Sequence, residues 1–351
     1  MSVEKRFAVA GRPIGPSHPP YVIAELSANH NGSYETAIQI LDAAKEGGAD
    51  AAKLQTYRPD TITLDVDTDD FLIKGGLWDG RRLYELYEEA HMPWEWHGPL
   101  FEHARKIGIT IFSSPFDNTA VDLLDRLGAP AFKIASFEAV DLPLIRYAAS
   151  KGKPLIISTG MADGEEIAEA IEAARSGGCT QLAILHCVSG YPAPPEDYNL
   201  RTIPDLIQRF GLVTGLSDHR LDNTTAIASI AVGASIIEKH FTLDRKGGGP
   251  DDSFSLEPPE LAALCRDSRT AWDAMGRVDY GRKSSEQGNV TFRRSLYIVA
   301  NLKAGTELTA DMVRSVRPGY GLAPKHLDAV IGRRLKVDAA RGTALAWDLL
   351  E

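Results

Sequence analysis

The sequence predicts a (β/α)8 barrel followed by a small C-terminal domain, and three observations carry that prediction. Eight short apolar runs alternate with segments of helical period, the pattern of parallel strands joined by helices. Eight such units within about 250 residues favour a closed barrel over an open doubly wound sheet. No GxGxxG fingerprint follows the first run, as an open dinucleotide-binding sheet would require. Finally, composition changes after a last helix near 259–275, where GRVDYGRKSSEQGNV is polar and Gly-rich. The expected division is a barrel over 1–277, a linker over 278–292 and a small domain over 293–351.

Taken in order, FAVAGRPIG reads as a short strand and turn, a hairpin closing one end of the barrel. The first barrel strand is YVIA, ending at Glu25, and SANHNGS leads from it into a helix over 34–46 that Gly47 and Gly48 stop. The second strand, 51–54, carries Lys53 and is followed by Gln55. The next stretch, from Thr56 to Trp96, is too long for an ordinary βα loop and reads as a lid or substrate-contact region. Within it Trp94 and Trp96 read as packing residues, beside a helix over 94–106. Strands at 110–112, 131–134, 154–157 and 182–185 follow, each after a helix. The last two strands lie within 212–237, joined by a helix over 224–232 that Asp222 or Asn223 can cap. Beyond the linker, short alternating strands and turns such as Lys303-Ala304-Gly305 form a module small for independent stability. It is expected to pack against a barrel.

The 351 residues are 44% apolar and 25% charged, ordinary values for a globular chain. A formal charge of −10 with no basic block argues against nucleic acid as a partner. No signal-peptide core and no apolar run of membrane-spanning length is present, so neither export nor a membrane partner is expected. Cys179, Cys187 and Cys265 show no CxxC spacing, which fits a reduced, cytoplasmic setting.

In a parallel barrel, ligands bind where the carboxyl ends of the strands converge. The side chains brought there are Glu25, Lys53 with Gln55, Ser114, Lys133 with Ser136 and Glu138, Ser158, His186, Ser217 with His219, and Glu238 with His240. A lysine inside a buried strand is costly unless paired or functional. Two of them, with serines at neighbouring strand ends, suit a phosphate together with a carboxylate. His219 and His240, on consecutive strands, suit a divalent transition metal with positions left open for substrate oxygen.

These segments resemble a known family. AELSANHNGS, ADAAKLQTY, FSSPFD, FKIASFE, LIISTGMA, GLSDH, EKHFTLD and RPGYG, in that order, are similar to the motifs of the sialic acid synthases, which condense phosphoenolpyruvate with an aldose. The resemblance implies a TIM barrel joined to a small antifreeze-protein-like (SAF) domain that is swapped across a homodimer. Within the family, WDGRRLYELYEEAHMPWEWH, KIASFEAVDLPLI and GGGPDDSFSLEP are most similar to the synthases of pseudaminic acid. The sugar this implies is 2,4-diacetamido-2,4,6-trideoxy-L-altrose, with the neuraminic and legionaminic acid synthases next in likeness.

By the same resemblance Lys53, Ser114, Lys133, Ser136, Ser158 and Ser217 hold the phosphoenolpyruvate, and His219 and His240 bind Mn2+, or Mg2+ or Co2+ in its place. Glu25 sits near the reacting carbons, while Gln55, Glu138, Tyr191 and Asp251 face the N-acylated deoxyhexose. Arg317 reaches an N-acyl group from the partner subunit. CVSGYP departs from the neuraminic acid synthases, which commonly have asparagine where Ser189 stands. Two other readings of the residues remain at this point. One is a Schiff-base aldolase using Lys133 or Lys53, the other a non-catalytic sugar-binding protein.

Overall fold

A computed structural model describes residues 7–351, which fall into two compact units, 7–276 and 277–351. The first begins with a hairpin of β1 (Phe7–Val9) and β2 (Arg12–Ile14). Eight parallel strands then close a barrel: β3 (Tyr21–Glu25), β4 (Ala51–Thr56), β5 (Thr110–Pro115), β6 (Phe132–Ile134), β7 (Leu155–Ser158), β8 (Leu182–Cys187), β9 (Val213–Asp218) and β10 (Ile236–His240). Closure comes from β10 pairing with β3, where Ile236 lies opposite Tyr21 and His240 opposite Glu25.

Helices cover the outside of the barrel and side chains fill its inside, so both faces of every strand are buried and the strands read as apolar runs rather than alternating ones. Alternate residues nevertheless part into two cores. Val22, Ala24, Ala52, Leu54, Phe132 and Ile134 pack outward against the helices. Tyr21, Ile23, Ala51, Phe112 and Ile156 pack inward, together with Phe7, Val9 and Ile14 of the hairpin. The hairpin therefore seals the amino-terminal end, as expected, and leaves the carboxyl end as the mouth. The interior is tight at Gly215, where a Cβ would lie 2.4 Å from the Ile236 carbonyl oxygen and 2.7 Å from the Leu185 side chain.

Local signals account for the helix ends. Helix Tyr34–Glu46 starts at Ser33, whose Oγ accepts the Thr36 N–H at 3.1 Å. Helix Thr224–Ala231 has Asn223 at its N-cap, but the acceptor is Asp222, whose Oδ1 takes the Thr224 N–H at 2.9 Å. The long segment after β4 is built from short helices, Pro59–Ile62 and Leu83–Ala90, and a bridge between Leu72 and Arg82. It reaches the loop after β10, where Trp78 Nε1 donates to the Pro250 carbonyl at 3.1 Å. Trp96 packs edge-on against His30 and Tyr34, and Trp94 lies beneath the Arg58 guanidinium, so both are packing residues.

The second unit pairs β11 (Ser295–Ile298) with β12 (Val313–Val316) in antiparallel fashion. It has its own core of Leu296, Ile298, Leu308, Val330, Leu335 and Leu345. It also takes in the polar 278–292 segment, part of which, Ser284–Phe292, winds into a 3-10 helix. Among the described residues no helix is long and apolar enough to cross a membrane, and Cys179, Cys187 and Cys265 are free thiols.

Candidate active site

The pleat that puts apolar residues inside the lower barrel puts polar ones inside its mouth. Two residues above Ile23, Ala51, Phe112, Ala131 and Ile156 come Glu25, Lys53, Ser114, Lys133 and Ser158, on the same strand faces. Gln55 on β4, Ser217 on β9, and Glu238 and His240 on β10 join them by the same alternation. Ser136 and Glu138 sit on the 3-10 turn after β6.

These side chains form one connected network. Lys53 Nζ lies 2.6 Å from Glu25 Oε2 and 3.7 Å from Glu238 Oε1, and donates to Ser114 Oγ at 3.2 Å. Lys133 Nζ donates to the same Glu238 oxygen at 3.1 Å, and Ser217 Oγ approaches it at 3.4 Å. On the far side Gln55 Nε2 donates to Glu25 Oε1 at 3.0 Å and to Ser27 Oγ at 2.8 Å. Ser27 Oγ in turn donates to Asp251 Oδ2. Two residues in this chain escaped the sequence reading of the site. Glu238 was placed at a strand end without a role, yet it is the shared counter-ion of both lysines; its i, i+2 spacing to His240 was the available signal. Ser27 has φ +45° in the loop after β3, and nothing in SANHNGS marks it as the link to Asp251.

Buried charges survive only when paired, and the titration directions follow from the pairing. Burial pushes the Glu25 carboxyl up to about 7 against the opposing pull of Lys53. Burial acts on Glu238 in the same sense, but Lys133 and Lys53 together hold it below its ordinary value. Burial lowers Lys133 despite Glu238, whereas for Lys53 the two carboxylates outweigh desolvation and raise it.

Glu138 is a simpler case: burial pushes it up to about 7 from 4.5. The folded state thus favours its protonated form, a contribution complete below pH 4.5 and lost as pH rises through about 7. Glu138→Gln is therefore expected to melt at a temperature that gains on the wild type as pH goes from 5 to 8. Melting curves across that range check this, and a constant difference would contradict it.

Several buried polar atoms in the mouth find no hydrogen-bond partner among the described residues: Ser158 Oγ, Ser189 Oγ, Glu138 Oε2 and His240 Nδ1. Unpaired buried groups are uncommon in folded proteins, and together here they mark a place for a polar ligand. Gly160 keeps room among them. A Cβ there would lie 2.3 Å from Ser189 Oγ and 2.7 Å from Ser136 Oγ, and its N–H donates to Ser136 Oγ at 3.2 Å.

His219 follows β9 directly and His240 ends β10, their ring centroids 5.5 Å apart. His219 Nδ1 donates to the Val188 carbonyl at 2.8 Å, which leaves the lone pair on Nε2. Burial lowers His219 to about 4 and His240 well below its ordinary value, so both imidazoles are neutral donors. Tyr191 stacks 4.3 Å from His219, and Phe254 and Trp78 lie 5.1 and 5.7 Å from Tyr191, making one aromatic wall beside the imidazoles. Among the described residues no group of three or more His, Cys, Asp or Glu has metal-holding geometry. A cation here would take two protein ligands, with oxygen from water or substrate completing its shell.

His186 is not part of the mouth. The pleat of β8 turns it outward, where Nε2 meets the Tyr198 carbonyl at 2.5 Å, a structural contact. Arg317 is an exposed residue of the second unit, immediately after β12.

A closed parallel barrel whose mouth gathers lysines, carboxylates, hydroxyls and neutral imidazoles has the make-up of an enzyme active site. The sequence matches the NeuB family over residues 40–280 and the SAF domain over residues 293–351. The chain belongs to the NeuB family. It is 44% identical over 327 residues to the pseudaminic acid synthase of Campylobacter jejuni, covering 93% of this chain and 95% of that one. It is 34% identical over 345 residues to the N,N'-diacetyllegionaminic acid synthase of Legionella pneumophila, covering 97% of each. Among solved structures, the N-acetylneuraminic acid synthetase of Leptospira borgpetersenii, crystallised with citrate, superposes with a TM-score of 0.73 at 29% identity, covering 82% of this chain and 95% of that one.

Proposed function

We propose that the chain is an enzyme condensing phosphoenolpyruvate with 2,4-diacetamido-2,4,6-trideoxy-L-altrose and water to give pseudaminic acid and phosphate. The observation that carries this is the juxtaposition, in one mouth, of a lysine–hydroxyl pocket and two neutral imidazoles 5.5 Å apart. The choice of sugar rests on the 44% identity to the Campylobacter pseudaminic acid synthase over nearly the whole chain, against 34% to the legionaminic enzyme.

Lys53 and Lys133, with the hydroxyls of Ser114, Ser136, Ser158 and Ser217, hold the phosphate and carboxylate of phosphoenolpyruvate. Gln55, Glu138, Tyr191 and Asp251 face the open-chain sugar. The His219 and His240 lone pairs fit a divalent cation, Mn2+ first and Mg2+ or Co2+ next, which supplies Lewis-acid polarisation of the sugar's aldehyde oxygen. A bond forms between phosphoenolpyruvate C3 and the aldehyde carbon, whose oxygen gains a proton. Water adds at C2, and the C2–O bond to phosphate then breaks. Glu25, in this proposal, takes the proton of that water. Its carboxyl, pushed up to about 7, exchanges between acid and base near neutral pH, and Gln55 Nε2 fixes its orientation at 3.0 Å. The proposed assembly is a domain-swapped homodimer in the cytoplasm, in which the partner copy's second unit presents its Arg317-equivalent side chain to an N-acyl group.

Lys133, lowered by burial, is also the lysine that a Schiff-base aldolase would use. A panel of N-acylated hexoses separates the readings. Incubation with phosphoenolpyruvate and Mn2+ is expected to release phosphate with the altrose derivative and to yield a product of the condensed mass. Borohydride trapping of a pyruvate–lysine adduct, with no phosphate released, would overturn the proposal.

A further inference from the structure

The reverse faces of β9 and β10 carry a charged network that the proposed chemistry leaves unused. Where Ser217 and His219 turn toward the mouth, Asp218 turns outward; where Glu238 and His240 turn in, Lys239 turns out. Asp218 and Lys239 are register partners, each 1% exposed, with Nζ 3.0 Å from Oδ2. An ion pair buried this deeply is often replaceable by apolar residues without loss of stability, so stability alone does not account for it.

Its other bonds do. Lys239 Nζ also donates to the Arg220 carbonyl at 2.6 Å and the Asp222 carbonyl at 2.8 Å, gripping the turn that follows His219. Asp218 accepts the Arg220 N–H at 3.0 Å, the Thr225 hydroxyl at 2.8 Å and the Tyr198 hydroxyl at 2.5 Å. The Tyr198 hydroxyl accepts the backbone N–H of His219 at 3.0 Å. The backbone of His219 is thus held by Tyr198, the turn beyond it by Lys239, and its ring by the Val188 carbonyl.

We propose that Asp218, Lys239 and Tyr198 are positioning residues that hold the His219 imidazole in register with His240 for a divalent cation. The proposal rests on the metal reading above, and the test separates the two. Mn2+ alone is titrated calorimetrically into the full chain without substrates, in parallel with thermal melts. Tyr198→Phe removes one hydroxyl, and Asp218→Asn with Lys239→Met removes both charges together so that neither is left unpaired. Thr56→Val is the control: Thr56 Oγ1 bonds His97 Nε2 at 2.8 Å and Ser113 Oγ at 2.6 Å in a comparably buried outward network on β4, two strands from β10 and three from β9 around the barrel.

The Mn2+ dissociation constant is expected to rise about 10–100-fold in Tyr198→Phe and in the double variant, the usual cost of losing a partner that orients a metal ligand. Thr56→Val keeps wild-type Mn2+ affinity whatever its melting temperature. Should the double variant fail to fold, Tyr198→Phe carries the test. Wild-type affinity in Tyr198→Phe overturns the positioning role while leaving the metal reading intact. A wild-type chain that takes up no Mn2+ overturns both.

Discussion

His240→Ala is expected to lower kcat by roughly 10²–10³-fold, the ~3–4 kcal/mol that a lost electrostatic contact to developing negative charge costs in a dry site. Phosphoenolpyruvate affinity should change little, because the lysines and hydroxyls proposed to hold it lie on other strands, β4 to β7 and β9. Folding should survive as well. His240 is neutral, and its Nδ1 has no partner among the described residues, so the substitution strands no hydrogen bond there. Three readouts check this together: kcat falls, the KM for phosphoenolpyruvate holds and Mn2+ uptake is lost. Turnover within tenfold of wild type, with Mn2+ still bound, would remove the imidazole from the chemistry.

Lys53→Met is expected to cost both activity and stability. Its ammonium is the direct counter-ion of Glu25 at 2.6 Å and a second counter-ion of Glu238 at 3.7 Å. Removing one partner of a buried ion pair costs about 3–5 kcal/mol, because the other charge is left in a medium that does not solvate it. Glu25 can escape by protonating, and it already stands at about 7 with Lys53 present. The loss should therefore be smaller at pH 5.5, where Glu25 is protonated in both proteins, and larger at pH 8, where only the wild type has a charge to balance the carboxylate. Urea unfolding at the two pH values measures it. An equal loss at both would show that Glu25 is not the group coupled to Lys53.

The barrel was legible because parallel strands covered on both faces leave eight apolar runs, and helix stops such as Gly47-Gly48 punctuate them. Counting strand ends also brought Lys53, Lys133, His219 and His240 to one mouth, but which way the two imidazoles point took the strand register. What could not be read was the partnering. Glu238 meets Lys133 across the barrel interior, and Glu25 meets Lys53 on the neighbouring strand; which carboxylate serves which lysine depends on how the strand ends converge. His186 shows the limit of counting strand ends, since one step in register turns a candidate ligand into a contact with the Tyr198 carbonyl. Asp218 and Lys239 were visible as neighbours of the histidines, but only the register of β9 against β10 shows that they face away and face each other.

The central claim is that the mouth joins a carbon of phosphoenolpyruvate to a sugar and releases phosphate by breaking the C–O bond. Phosphoenolpyruvate carrying 18O in the bridging position, incubated with the enzyme, Mn2+ and the diacetamido altrose derivative, tests it directly. The account predicts that the label leaves with inorganic phosphate, one labelled phosphate for each molecule of condensed product. Label retained in the sugar acid, or phosphate released without any sugar present, would contradict it.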